Sequence, residues 1–231
     1  MKFFDSLIDE VYSIINGKDV LRFPFDGGTQ WNDTGYSQVI LQRDTAFELE
    51  GTGFNLITSE PLDDGVIVVG DDLDGISKSR NFARISLVRI DNEEDEQKAY
   101  NLIRKIEYVK YHTFPDGYMM RTASRSHKEA VRVAKSALRK GIDFQKIGSL
   151  FIKKYKEIPA VKAVTVIFVT DTTASFGRFS ELAEKSNSIT EALNHVMNSV
   201  NFDCDTCNLK AVCDEVEGMK ELHFRNASKG M

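Results

Sequence analysis

The chain has 231 residues, 42% of them hydrophobic and 28% charged, with 15 Phe. That is ample for a packed core and excludes a disordered chain. A net charge of -5 excludes a bulk polyanion binder, no apolar run reaches the roughly 18 residues of a membrane span, and Met1-Lys2-Phe3-Phe4-Asp5 opens no secretory signal; a cytoplasmic protein of one large or two small domains is expected.

Phe3, Phe4, Leu7, Ile8, Val11, Tyr12 and Ile15 recur at helical spacing, and Gly17 can stop that helix. Residues 17–44 read as a loop-rich region anchored by Trp31. Strands come next. Ala46-Phe47-Glu48-Leu49-Glu50 alternates, Val66-Ile67-Val68-Val69 is β-branched, and residues 83–90 alternate in part. The period then changes. Ala99, Leu102, Ile103, Ile106 and Val109 share a helical face over 93–111, and Glu93 to Glu96 favour its start. The spacing predicts a second helix over 125–140, stopped by Gly141, and a third over 144–157, with Asp143 as its N-cap. Residues 163–169 form the most apolar strand, expected at the centre and buried on both faces. Asp171 and Thr172 can cap the next helix, and a last helix is expected over 190–200. Strands that cluster early, then helices around one late strand, imply an α+β fold: a mixed sheet with helices packed on it and a cysteine-rich carboxyl-terminal segment. The expected divisions are 1–44, 45–200 and 201–231.

All three cysteines lie within ten positions: Cys204, Cys207 and Cys213, followed by His223. An odd, tight cluster is not a disulfide framework. The pattern C-x2-C-x5-C-x9-H brings thiolates together on a turn and can complete a four-ligand set. Thiolate softness suits an iron–sulfur cluster, zinc or copper(I). Inert cysteines fit such clustering poorly. A thiol–disulfide site would leave the third Cys unused.

Charge is unevenly spread. Residues 44–77 hold nine acids and no base, and 121–156 hold eleven Lys or Arg and two acids. Arg125, Arg132 and Arg139 recur every seven residues, near one face of the expected helix. Such a row can hold phosphates of a nucleotide-like cofactor, or it can be a solvated face paired with acids elsewhere. No nucleic-acid motif accompanies it. No G-x-S-x-G, H-E-x-x-H, Walker A or G-x-G-x-x-G occurs, so the residues offer no catalytic set.

Four collinear stretches carry a resemblance. They are Thr45-Ala46-Phe47-Glu48-Leu49 with Asp64-Gly65-Val66-Ile67-Val68-Val69-Gly70-Asp71-Asp72-Leu73-Asp74; Arg132 to Gly141 running into Phe144 and Gly148; Pro159-Ala160-Val161 with Val164 to Asp171; and the cysteine segment. Over roughly 45–224 the chain resembles the middle region of acetyl-CoA synthase, the beta subunit of the CO dehydrogenase/acetyl-CoA synthase complex. The resemblance implies an α+β domain and a [4Fe–4S] cluster matched by Cys204, Cys207 and Cys213, with His223 where the fourth ligand stands. The family's second gap is longer and its fourth ligand is a cysteine. The family's nickel sites depend on a later C-x-C pair that does not follow here, so acetyl-CoA synthesis by this chain alone is not expected. The resemblance further implies a CO dehydrogenase or corrinoid iron–sulfur protein-like partner, and an anionic ligand such as coenzyme A for Arg125, Arg132 and Arg139. A three-thiolate site can also be completed across a homodimer. Zinc on the same ligands, pinning the tail as a non-catalytic scaffold, is the alternative.

Overall fold

The computed structural model describes residues 3–25, 27–28, 30–91, 96–123, 127–197, 207, 209–216 and 219. Helix α1 spans Asp5–Ile15 and buries Leu7, Val11, Ile14 and Ile15. The chain then lays down β1 (Val20–Pro24), β2 (Thr45–Thr58), β3 (Gly65–Val69) and β4 (Arg80–Ile90). Helix α2 (Glu96–Tyr111) leads to β5 (Tyr118–Thr122), β6 (Lys128–Ala134) and the short α3 (Lys135–Arg139). Helix α4 (Phe144–Lys156), β7 (Val161–Val169), α5 (Phe176–Met197) and α6 (Lys210–Glu215) complete it.

The strands form one mixed sheet in the order β1-β3-β7-β4-β2-β6-β5. β2 runs parallel to β4 and β3 to β7, and the other pairs are antiparallel. The α+β expectation holds. β7 lies beside the central β4 and is buried along nearly its whole length. β1 pairs with β3, so the amino-terminal region shares one sheet with the six later strands.

Strand alternation assigns the faces. Register sets Gly53 beside Arg84 and Asn55 beside Ser86 on one face. Helix α4 covers that face. Phe144 stacks on Phe168 at 4.4 Å, and Gly148 lies so close to Val66 that a Cβ there would sit 2.5 Å from it. Helices α1 and α5 cover the other face, where Thr58 donates to Asp5 at 2.8 Å. β6 accompanies β2 only as far as Thr52. Past that point α2 touches β2, α4 and α5.

Three expectations are corrected. Residues 125–140 are not one helix: Lys128–Ala134 is a strand between β2 and β5, and only Lys135–Arg139 is helical. Of the helix expected over 190–200, residues 190–197 are the end of α5, which runs unbroken for 22 residues, and 198–200 lie outside the described residues. Asp171 does not cap α5. Its carboxylate closes a turn by accepting from the Thr173 amide at 2.8 Å, which holds it below the usual carboxylate range. The helices over 3–16 and 144–157 form as expected, and Asp143 caps the latter by accepting from Lys146 N.

Candidate functional site

The α4 face of the sheet carries a charged pair inside the core. Arg84 of β4 donates to Glu129 of β6 through Nε at 2.9 Å and Nη2 at 2.6 Å, and neither side chain is exposed. Gly53 of β2 lies between them, and a Cβ there would stand 2.1 Å from Glu129 Oε2. The Arg84 guanidinium also lies 4.5 Å over the Phe151 ring and reaches Ser86 Oγ at 3.2 Å. Burial alone would lower the Arg84 pKa, but the Glu129 carboxylate beside it holds it above its usual value. Tyr155 donates to Asn55 Oδ1 at 2.7 Å, and burial pushes its phenol up to about 12. Burial raises Tyr118 as well, and its hydroxyl has no partner among the described residues. Two neutral phenols and a closed ion pair offer no solvent-facing nucleophile or acid, so this seam fixes the strand register and positions rather than reacts.

A second cluster adjoins it at the end of α2. Asn55 Nδ2 donates to Glu107 Oε1 at 2.8 Å, and Glu107 pairs with Lys110. Lys110 is buried and stands 3.4 Å from His127 Nδ1. His127 is buried too and adopts φ 48, an uncommon backbone state for a non-glycine residue. Its carbonyl accepts from Gly53 N at 3.0 Å and Thr52 Oγ1 at 2.9 Å, which accounts for the pose. Burial and the neighbouring Lys110 charge lower its pKa, so the ring is held neutral. Nothing in the bare spacing of His112, His127 and His195 announced this cluster. For the neighbouring Arg84–Glu129 pair the available signal was a charge at an alternation position whose same-face neighbours are uncharged, Phe82 and Ser86 beside Arg84 and Val131 and Val133 after Glu129.

The sequence-selected arginines part company. Arg125 lies outside the described residues. Arg132 sits mid-strand on β6, where it donates to Glu48 Oε1 at 2.7 Å and the Ile40 carbonyl at 3.3 Å. Arg139 ends α3 and is exposed. Three other basic residues of this stretch meet acids from elsewhere in the chain: Lys154 reaches Asp33 at 3.1 Å, Lys140 reaches Asp116 at 3.3 Å, and Lys156 pairs with Asp64. A 620 Å³ groove brings Lys140, Lys153 and Lys154 together beside Trp31, whose indole Nε1 donates to the Asp116 carbonyl at 2.8 Å.

Of the cysteine segment, Cys204 and His223 lie outside the described residues. Cys207 and Cys213 are thiols, half-buried against the edge of the core. Cys207 precedes α6, and its carbonyl accepts from Lys210 N at 3.2 Å. Cys213 sits within α6, and its amide donates to the Leu209 carbonyl at 3.1 Å. Leu209 and Met219 are buried at either end, and α6 docks on α5. Among the described residues no three His, Cys, Asp or Glu side chains gather as a metal set. The two placed donors are soft and half-buried, which suits thiolate ligation.

A profile of the CO dehydrogenase/acetyl-CoA synthase complex beta subunit family matches residues 30–174. The chain belongs to that family. The match takes in β2 to β7, both buried clusters and the Trp31 groove. It ends before α5, so the cysteine segment lies beyond the span that defines this CO dehydrogenase/acetyl-CoA synthase relative. A search of the curated proteins found no match. Among the described residues no helix is long and apolar enough to cross a membrane.

Proposed function

We propose that this member of the acetyl-CoA synthase beta-subunit family carries an iron–sulfur cluster and serves acetyl-CoA and one-carbon metabolism as an accessory or electron-transfer component. The observation that carries the reading is the C-x2-C-x5-C segment, in which Cys207 precedes and Cys213 lies within the short helix α6, itself docked on α5. Cys204, Cys207, Cys213 and His223 are the residues that would hold a [4Fe–4S] cluster. Such a cluster supplies one-electron transfer, and a histidine in place of a thiolate raises its potential. The chain's own part is to fix the donors. Leu209 and Met219 are buried and anchor the segment, and α6 docks on α5. A CO dehydrogenase or a corrinoid iron–sulfur protein-like subunit is the partner this role calls for.

The test compares anaerobically purified wild type with Cys207→Ser. Brown colour, iron and sulfide in the wild type, all lost in the variant, are the expected outcome. Equal absorbance and iron in both would overturn the reading. Zinc without colour would instead make the segment a structural staple.

A second reading, binding of a coenzyme A-type anion, is favoured by the Trp31 groove. Its aromatic wall can receive a ring, and phosphates would draw Lys140 and Lys154 from their partners Asp116 and Asp33 at the groove's edge. The groove gathers its lysines at one place, whereas Arg132 on β6 is held by Glu48 and Arg139 is exposed at the end of α3. Trp31 is the one tryptophan, so coenzyme A titrated at two salt concentrations is read directly from its fluorescence. Saturable quenching that weakens with salt is expected, and no saturable change at low salt would remove the reading.

A further inference from the structure

Helices α1, α5 and α6 enclose a 480 Å³ groove on the side of the molecule that carries the cysteine segment. Its floor is apolar: Leu7 of α1, Ile189 of α5, and Val212 and Val216 at α6. Its rim holds four carboxylates, Glu10, Glu181, Glu184 and Glu215, against the single base Lys185. Glu10 is already engaged, by Arg178 at 3.4 Å and Lys185 at 3.8 Å. Glu181, Glu184 and Glu215 have no ion-pair partner among the described residues. The α5 wall presents Glu181, Glu184, Lys185, Ser188 and Ile189, a three-and-four spacing that keeps them on one helical face. At 1.5 Å per residue that wall runs for about 12 Å, roughly two helical turns.

We infer that this groove is a docking surface for a basic amphipathic helix of a partner protein. Three helices with an apolar trough between them leave the place of a fourth, and a helix laid in such a groove is read through anchors at i, i+3, i+4 and i+7. The unpaired carboxylates select the partner's charge. Lysines or arginines flanking the anchors gain complementary partners, while an acidic helix meets like charge at Glu181, Glu184 and Glu215. Because α6 both lines the groove and carries Cys213, a partner seated there lies beside the cysteine segment. Docking there does not depend on which metal that segment holds.

The probe is a fluorescein-labelled helical peptide of leucine and lysine, with leucines at the groove spacing. An oligolysine of equal charge is its control, and binding to the full chain is read by anisotropy at low salt. Saturable binding is expected for the leucine–lysine peptide and not for oligolysine. The double variant Glu181→Lys/Glu184→Lys should bind about tenfold more weakly or worse, and Glu60→Lys/Asp74→Lys, away from the groove, should bind as wild type. All four positions are exposed, so the fold is kept, and circular dichroism checks this. Equal binding of oligolysine, or an unchanged affinity in the groove variant, overturns the proposal. So does a peptide affinity that rises when Lys220, Arg225 and Lys229 are changed to Glu, because the chain's own carboxyl-terminal segment would then be the occupant.

Discussion

At Gly53 the interior leaves no room for a side chain. A methyl group there would meet Glu129 Oε2 at 2.1 Å, and the carboxylate could yield only by leaving Arg84. Both charges are fully buried, so a separated pair has no water to turn to. Gly53→Ala is therefore expected to cost about 3 kcal/mol or more in urea unfolding. A loss below about 1 kcal/mol would show that the ion pair can shift as a unit. His127 gives a second prediction. Its ring is kept neutral by burial and by Lys110 of α2, against the opposing pull of Glu107 and of Asn187 and Glu191 of α5. The folded pKa lies below the ordinary 6.5, so the stability it contributes is complete above that value. It is lost as pH falls through 6.5 toward the folded value. Melting temperature should fall more steeply for wild type than for His127→Asn between about pH 7.5 and about pH 5. Asparagine tolerates the positive φ, so parallel curves would mean that the ring does not titrate with folding.

Among the elements, β6 shows what the sequence conceals. Lys128-Glu129-Ala130-Val131-Arg132-Val133-Ala134 is rich in helix-favouring residues, and the arginine spacing of seven agrees with a helix. The alternation that marks a strand is broken at Glu129, which faces inward because Arg84 is there to receive it. Arg84 breaks the pattern of β4 in the same way. Each charge looks misplaced in its own segment, and the two explain each other only once β2 brings their strands together. The helices over 3–16 and 144–157 are legible because their apolar residues keep one period, and the strand over 163–169 because it is an almost unbroken apolar run. A strand at β6 has a measurable signature. Val131 and Val133 are buried and Ala130 is exposed, so Val131→Ala and Val133→Ala should each cost about 1–2 kcal/mol. Ala130→Ser should cost less than about 0.5 kcal/mol. Equal losses at all three positions would contradict the period of two.

At the scale of the whole molecule, a seven-stranded mixed sheet carries its polar seam on the α4 face and its cysteine helix on α5. Family membership rests on residues 30–174, which hold the sheet's centre. The clustering of the cysteines is visible in the sequence itself, since three thiols in ten positions need no tertiary information. The Trp31 groove was not readable, because Trp31, Lys140 and Lys154 are distant in sequence and meet only through the fold. The acid-rimmed groove beside α6 was hidden for the same reason. Cluster binding at the cysteine segment is tested most directly by the iron, zinc and sulfide content of the anaerobically purified chain, taken with its visible spectrum. A brown protein with about four irons and four sulfides per chain, the content of a cubane cluster, is the expected result. A colourless protein with about one zinc, the content of a closed structural site, would contradict it.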